Sequence, residues 1–178
     1  MHDAWTIRRF ERTVLTHLDA AYNLARWMTR DADAAEDAVQ EACLRALRFF
    51  ESQHGVSAKA WFMAIVRNVC LDWIEAERRL KDHEPYDEDI HASDPLSMAE
   101  SPEAAFARAS EARWVRDCIA ALPREYREVI VLRELEELSY KEIGAIVDVP
   151  VGTVMSRLAR GRALLQARLA ESRRRSHS

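Results

Sequence analysis

The apolar residues of this chain recur three and four positions apart, which is the spacing of one face of an α-helix. This spacing predicts a first long helix over residues 33–50, and Asp33 followed by Glu36 predicts a capping box at its start. A second helix is predicted over residues 57–79. The core-facing stripes of the two helices are Val39, Ala42, Cys43, Ala46, Leu47 and Phe50, and then Phe62, Ile65, Val66, Val69 and Trp73.

The other faces of these two helices carry polar side chains. The first helix presents Asp37, Gln40, Glu41, Leu44 and Arg48, a pattern that on its own favours a solvated face. On the second helix, Trp61, Asn68 and Asp72 share a stripe beside the core, and Arg67 lies next to it. An aromatic ring, an amide and a guanidinium can stack on unpaired bases and hydrogen-bond to them. An ordinary amphipathic helix with an exposed tryptophan explains the same pattern equally well.

Residues 122–165 carry the more specific pattern. Ser139 and Glu142 form a capping box that predicts a short helix through Val147. The following Asp-Val-Pro breaks that helix, because proline disfavours helix in the residue before it. A longer basic helix begins at Val151. A short helix, a three-residue turn and a longer basic helix are typical of a helix-turn-helix.

The faces of the second helix of this motif have separate characters. Val154, Leu158, Gly161 and Leu165 define a buried side at four-three-four spacing. The opposite stripe consists of Gly152, Ser156, Ala159 and Arg160, with Met155 at its margin and Arg157 and Arg162 on its two sides. A helix in the major groove needs such a layout, because base edges are contacted by its outward side chains and phosphates by flanking cations. The alternative is a helical hairpin with a basic outer face. The three-residue turn, the capping box and the separation of buried and basic sides together favour DNA binding.

The distribution of charge divides the chain into three parts. The whole chain of 178 residues has a net charge of −4, but the charges are unevenly placed. Residues 1–81 are neutral, residues 82–105 carry −8 with no Lys or Arg, and residues 106–178 carry +4. An acidic, proline-containing run without helical period buries too little apolar surface to order itself. We therefore predict an all-α protein with two small domains, 1–81 and 106–178, joined by a flexible acidic linker over 82–105.

Several classes of protein are excluded by what the sequence lacks. Its longest apolar run, residues 60–66, is far shorter than the ~20 residues that span a bilayer, and charges near the N-terminus argue against a signal peptide. Its three cysteines are isolated, which argues against a disulfide framework or structural zinc. No nucleophile–base pair and no phosphate-binding glycine loop occur, so we expect no catalytic residues, no metal and no cofactor. A resolvase or transposase and a conventional repressor or LuxR-like activator remain as alternatives.

Three stretches of this sequence resemble a known family. AEDAVQEACLRAL, AWFMAIVRNVCLDW and LPREYREVIVLRELEELSYKEIGAIVDVPVGTVMSRLARGR are similar to bacterial sigma factors of the extracytoplasmic-function type, within the sigma-70 family. The resemblance covers roughly residues 10–80 and 110–170 in the family's order. It implies a subunit of RNA polymerase whose first domain binds the polymerase clamp and melts the minus-ten element. The second domain is then expected to bind the polymerase flap and to recognise the minus-thirty-five element.

The same resemblance implies roles for individual residues. It implies that Asp37, Gln40 and Glu41 contact the clamp helices of the polymerase. This expectation replaces the interpretation of a solvated face. Asn68 is expected to help hold a flipped base of the minus-ten strand, with residues 51–59 at the rim of the pocket. The expected minus-ten set is Trp61, Arg67, Asn68 and Asp72, and the expected minus-thirty-five set is Arg133, Thr153, Met155, Ser156, Arg157, Ala159, Arg160 and Arg162.

The resemblance also implies partners and a location. Core RNA polymerase, promoter DNA and an anti-sigma factor are the expected partners, without a small-molecule substrate. The chain is expected in the cytoplasm, where an anti-sigma factor could hold it at the inner face of the membrane. The linker is expected to thread through the basic channel of the polymerase, imitating RNA, or to act only as a solvated tether.

Overall fold

The computed structural model describes residues 4–53, 55, 57–82 and 102–175, and within these ranges every regular element is helical. The first domain contains α1 (Ala4–Thr13), α2 (Leu18–Thr29), α3 (Ala32–Phe49) and α4 (Ala58–Lys81). The second contains α5 (Pro102–Ala120), α6 (Arg124–Ile130), α7 (Tyr140–Val147) and α8 (Val151–Arg175). Single turns of 3₁₀-helix span Leu15–His17 and Phe50–Ser52, and a π-helical turn spans Val131–Leu135. The prediction of an all-α fold with two helical domains is confirmed.

The start of α3 differs from the prediction. Its cap is Asp31, whose carboxylate accepts a hydrogen bond from the amide of Ala34 at 2.8 Å, so a capping box at Asp33 is wrong. Arg30 ends α2 in the left-handed conformation (φ 58°), which makes Asp31 the extended residue before the helix. Asp33 is already helical and cannot act as the cap. Helix α4 begins at Ala58 with Ser57 as its N-cap, which agrees with the predicted start at residue 57.

The core of the first domain forms where α2, α3 and α4 pack against one another. The stripes predicted for α3 and α4 face this core. Seven of their residues are buried: Val39, Ala42, Ala46, Phe50, Phe62, Val66 and Val69. The other four lie half-buried at the edge: Cys43, Leu47, Ile65 and Trp73. Because these stripes face the core, the opposite sides of α3 and α4 lie on the surface of the domain.

The helix-turn-helix of the second domain is formed by α7 and α8, as predicted. Both hydrogen bonds of the Ser139–Glu142 capping box are present, at 3.2 Å and 2.9 Å. Asp148 ends α7 with a left-handed φ of 56°. A Cβ on Gly144 would lie 2.9 Å from the carbonyl oxygen of Val149, so this close turn requires glycine. The buried side of α8 is the predicted one, with Val154 and Leu158 fully enclosed.

The acidic linker lies mostly outside the described residues, which resume at residue 102. Helix α5 begins at Pro102, so it includes the last four residues of the predicted linker, 102–105. Proline suits the first turn of a helix, because its missing amide would have no partner there. The C-terminal end of the predicted linker is therefore helical.

The two domains pack against each other, which the sequence patterns did not predict. Helix α4 lies on α7, helix α2 lies on α6, and the buried apolar side chains form one continuous cluster across both domains. The face of α4 with Met63, Arg67, Cys70 and Ile74, which we call the inner face, has the four-three-four spacing of a second buried stripe. Met63 and Cys70 on it are fully buried. Helix α4 is thus covered on two sides.

Candidate nucleic-acid and polymerase interfaces

The outward side of α8 is open to solvent. Met155, Ser156, Ala159 and Arg160 are exposed, as the helical wheel predicted. The Ser156 hydroxyl donates to the backbone oxygen of Thr153 at 3.0 Å, while the Arg160 guanidinium makes no hydrogen bond to any residue that the structure describes. An exposed helix carrying an unengaged guanidinium can enter a major groove and bind a guanine edge.

The three cations around this surface have different surroundings. Arg157 is half-buried on one flank of α8. Arg162 donates to one carboxylate oxygen of Glu134 at 2.6 Å and 2.9 Å, and this hydrogen bonding raises the pKa of the Arg162 guanidinium. Arg133, in the π-helical turn, donates to the carbonyl oxygen of Leu138 at 2.8 Å and lies over the ring of Tyr140. Arg133 and Arg162 are therefore held in fixed positions beside the helix-turn-helix.

Three of the four residues of the expected minus-ten set share one side of α4. Asn68 and Asp72 are exposed, and Asp72 lies 3.4 Å from a guanidinium nitrogen of Arg45. Trp61 is half-buried, with its ring centroid 6.4 Å from that of Phe50. The expected pocket rim at 51–59 is described except for residues 54 and 56. A ring, an amide and a carboxylate on one accessible face can bind a base by stacking and hydrogen bonds.

Arg67, the fourth residue of that set, has a different environment. It lies on the inner face of α4, where Nε and Nη2 both donate to Oε2 of Glu128 on α6, at 3.1 Å and 3.0 Å. The side chains of Arg67 and Glu128 are only 14% and 3% exposed. In this arrangement Arg67 faces the second domain and not the open surface with Asn68.

The expected polymerase-binding residues lie on the open side of α3. Asp37, Gln40 and Glu41 are all exposed, and Glu41 pairs with Arg45 at 2.7 Å. Leu44, on the same side, is 63% exposed. A large apolar side chain amid exposed polar ones is typical of the centre of a protein interface. Leu44 was predicted to lie on this face but was assigned no role there, and its exposure is the signal that points to one.

Polar contacts surround the packing of the two domains. Asn23 donates to a carboxylate oxygen of Glu136 at 2.7 Å, and Lys59 donates to the Glu136 backbone oxygen at 3.0 Å. Ser57 donates to Glu142 at 2.7 Å, which together with the Ser139 amide lowers the pKa of the Glu142 carboxyl. Further contacts of this kind join α2 and α5, where Arg30 donates to the Ala120 carbonyl. None of these pairs is close in sequence, so pattern analysis could not find them.

No group of three or more His, Cys, Asp or Glu side chains within the described residues could hold a metal ion. None of the helices in the described part of the chain has the length and hydropathy needed to cross a membrane.

The two domains match two models of one protein family. Residues 13–80 match sigma-70 region 2, and residues 112–165 match sigma-70 region 4. The first range contains α2, α3 and all but the last residue of α4, and the second contains the helix-turn-helix. The fold and the matched regions define a protein of the sigma-70 class.

Curated relatives narrow this class. The chain is 36% identical over 155 residues to the ECF RNA polymerase sigma-E factor of Haemophilus influenzae, covering 82% of this chain and 79% of that protein. It is 33% identical to SigW of Bacillus subtilis, covering 91% and 89%. It is 32% identical to SigE of Mycolicibacterium smegmatis, where the match spans 91% of this chain but only 62% of that protein. The chain belongs to the ECF RNA polymerase sigma factors.

Solved structures agree with this assignment. The sigma factor RpoE of Bartonella quintana, in complex with the anti-sigma factor NepR, has a TM-score of 0.75 and 25% identity, covering 92% of this chain and 98% of that one. CnrH, in complex with the cytosolic domain of CnrY, has a TM-score of 0.64 at 25% identity, covering 92% and 89%.

Proposed function

We propose that this chain acts as a dissociable specificity subunit of RNA polymerase, which directs initiation by recognising a minus-thirty-five and a minus-ten element. The observation that carries the proposal is the outward side of α8, where Arg160 is exposed and unengaged among the described residues beside small side chains. Arg160 would bind guanine O6 and N7, while Ser156, Ala159 and Met155 contact neighbouring base edges. Arg133, Thr153, Arg157 and Arg162 would hold phosphates and fix the register.

The first domain would supply strand separation and polymerase binding. Asn68, with Trp61 and Asp72 on the same side of α4, would hold a base that has left the duplex. Extracting that base costs a few kcal/mol, so stacking and hydrogen bonds must offset it. Asp37, Gln40 and Glu41 would bind the polymerase clamp around the exposed Leu44. Desolvating that leucine would contribute roughly 1.5–3 kcal/mol, which makes it the expected centre of this interface.

In this proposal the chain is a transcription factor that catalyses no reaction of its own. A resolvase or transposase would need a set of carboxylates for metal-assisted strand transfer, and none of that kind clusters among the described residues. A repressor would bind palindromic duplex in the absence of polymerase. The chain would work in the cytoplasm, where promoter DNA and polymerase are.

We further propose an anti-sigma factor as a partner. The two structural relatives were each solved with such a protein or with the cytosolic domain of a second chain. An anti-sigma factor with a transmembrane segment would hold this chain at the inner face of the membrane until release. The acidic linker, outside the described residues except at its ends, remains predicted either to thread into the polymerase or to act as a tether.

The proposal is tested by separating its three steps with one variant each. Leu44→Ala should weaken binding to core polymerase, Asn68→Ala should impair only promoter opening, and Arg160→Ala should impair only minus-thirty-five recognition. Core affinity, permanganate reactivity of melted thymines and promoter selection measure the three steps. The proposal would be overturned if the wild-type chain bound no core polymerase. It would also be overturned if removing the second domain left promoter opening undiminished.

A further inference from the structure

Helix α1 carries an exposed aromatic ring that a neighbouring cation holds in place. The indole of Trp5 is 63% exposed. The guanidinium of Arg9, one helical turn later, lies over this ring with its Cζ atom 5.6 Å from the ring centroid, and it also lies over the ring of Phe50 at 5.2 Å. A planar guanidinium is attracted to the faces of both rings. Arg9 therefore fixes the exposed indole relative to the core of the first domain.

Phe50 connects this ring to the proposed minus-ten face. It is 3% exposed, and its ring packs edge-to-face on Phe10, with 5.4 Å between centroids. Its centroid also lies 6.4 Å from that of Trp61. From Trp5 through Arg9 and Phe50 to Trp61, these three steps span at most about 17 Å, which a stacked strand covers in about five nucleotides at 3.4 Å each. Trp5 is thus within reach of the strand that the minus-ten face would hold.

Cations surround Trp5 on the same side of α1. At about 100° per residue, one sector of the helix about 100° wide contains Trp5, Arg8, Arg9 and Arg12, which we call the tryptophan–arginine stripe. All four side chains are exposed, and Glu11 lies outside the sector. Within the described residues, none of the three arginines forms an ion pair with a carboxylate. The stripe is therefore positively charged in a domain whose residues 1–81 are neutral overall.

This combination fits a nucleic-acid strand better than a protein. A site for unpaired nucleic acid needs an aromatic face for a base and cations beside it for the phosphates. The centre of a protein interface is depleted of charge and enriched in apolar side chains. Every neighbour of Trp5 in its sector is an arginine, and Ile7 projects from the opposite side of the helix. The charge and the ring together favour a single strand of DNA.

We propose that Trp5 is a second base-binding site of the first domain, which stacks on an unpaired base of the promoter strand that Asn68 contacts. Arg8 and Arg12 bind phosphates of this strand, and Arg9 is a positioning residue that holds the indole. The proposal rests on the proposed function and adds a site to it. Every base has a π-face, so the site contributes affinity for opened DNA with little base preference.

The fluorescence of 2-aminopurine tests this stacking, because the base analogue is quenched when it stacks on an aromatic ring. Promoters carry it at successive positions of the strand contacted by Asn68, and each is bound by the holoenzyme. Trp5→Ala should raise the fluorescence at one position, within about five nucleotides of the base held by Asn68. It should also weaken binding to promoter DNA with a single-stranded tail about tenfold. Trp5→Phe keeps a ring and should retain most of the quenching.

Matched variants separate stacking, positioning and charge. Tyr22→Ala is the control for loss of an exposed aromatic side chain, because Tyr22 is 41% exposed on α2 and has no cation over its ring among the described residues. It should change neither fluorescence nor affinity. Arg9→Lys keeps the charge but loses the planar group, so it should raise the fluorescence at the Trp5 position and leave the salt dependence unchanged. Arg12→Ala should keep the quenching and reduce the slope of log affinity against log salt by about 0.7.

Three results would overturn the proposal while leaving the proposed function intact. In the first, the wild-type holoenzyme opens promoters and Trp5→Ala changes neither the fluorescence at any position nor the affinity for tailed DNA. In the second, Trp5→Ala lowers the affinity for core polymerase without changing the fluorescence, which would make the stripe a protein-binding surface. In the third, Trp5→Ala and Trp5→Phe lose thermal stability and DNA binding equally, which would make the indole a structural residue.

The wild-type chain distinguishes this proposal from the one on which it rests. If the wild-type chain opens no promoter with core polymerase, the proposed function fails and the second base site fails with it. If the wild type opens promoters, a rise in fluorescence at one position in Trp5→Ala and Arg9→Lys, but not in Tyr22→Ala, supports the second base site.

Discussion

Arg160 and Arg157 offer the sharpest contrast in the recognition helix, because they are three residues apart and we expect them to bind different parts of DNA. Arg160 is exposed and makes no hydrogen bond to a described residue, so Arg160→Ala should change the free energy of unfolding by no more than about 0.5 kcal/mol. Its loss should therefore appear almost entirely in promoter binding. A bidentate contact to guanine is worth about 1–3 kcal/mol, or roughly 5- to 150-fold in affinity.

Arg157→Ala should have another signature. Arg157 is half-buried at the flank of α8, where its guanidinium is expected to bind a phosphate. Removing one phosphate contact weakens binding to all sequences alike and reduces the slope of log affinity against log salt by about 0.9. Arg160→Ala should leave most of this slope unchanged, since a base contact releases few counterions.

A promoter library randomised over the minus-thirty-five element measures both effects. Holoenzyme containing each variant is selected at two salt concentrations, and the recovered sequences are counted. Arg160→Ala should lose its preference at one base pair, and Arg157→Ala should keep every preference while losing affinity. If both variants relax the same position to the same extent, the assigned orientation of α8 is wrong.

Three further variants test the rest of the site. Asn68→Ala should leave core affinity unchanged but lower permanganate reactivity of melted thymines, because only an exposed amide is lost; undiminished reactivity would refute its role in base capture. Leu44→Ala should lower the affinity for core polymerase, measured by competition with the wild-type chain, about tenfold without lowering the thermal midpoint of unfolding. An unchanged affinity would show that this side of α3 is not part of the interface. The pKa of Glu142 is lowered from 4.5 by the Ser57 hydroxyl, so the stabilisation is complete above pH 4.5 and is lost as the pH falls through the lower folded value. The difference in urea stability between wild type and Glu142→Gln should therefore shrink on acidification, and a constant difference would contradict this assignment.

The helix-turn-helix could be predicted from the sequence because its determinants are local. Ser139 and Glu142 are three residues apart, and the buried stripe of α8 repeats within one helix, so no distant contact was needed to find either. The start of α3 was misplaced because Asp31 and Asp33 are equally good caps by residue type. Only the left-handed Arg30 at the end of α2 decides between them.

The packing between the domains could not be predicted in the same way. Its contacts join residues far apart in sequence, such as Arg67 with Glu128, and each of these residues alone resembles an ordinary surface charge. Met63, Cys70 and Ile74, seven and four positions apart, were a usable signal, since this spacing gives α4 a second apolar side. Arg67 lies within that stripe, which explains why a wheel centred on Trp61 and Asn68 placed it next to the nucleic-acid face.

The central claim is that this chain gives core RNA polymerase its promoter specificity through two separate DNA-binding surfaces. The most direct test is transcription by the reconstituted holoenzyme from a library randomised upstream of the start site, with sequencing of the RNA 5′ ends. We expect two preferred blocks, about ten and thirty-five base pairs upstream at a fixed spacing, with Asn68→Ala affecting the first and Arg160→Ala the second. Transcription without sequence preference, or a single preferred block that both variants alter, would contradict the claim.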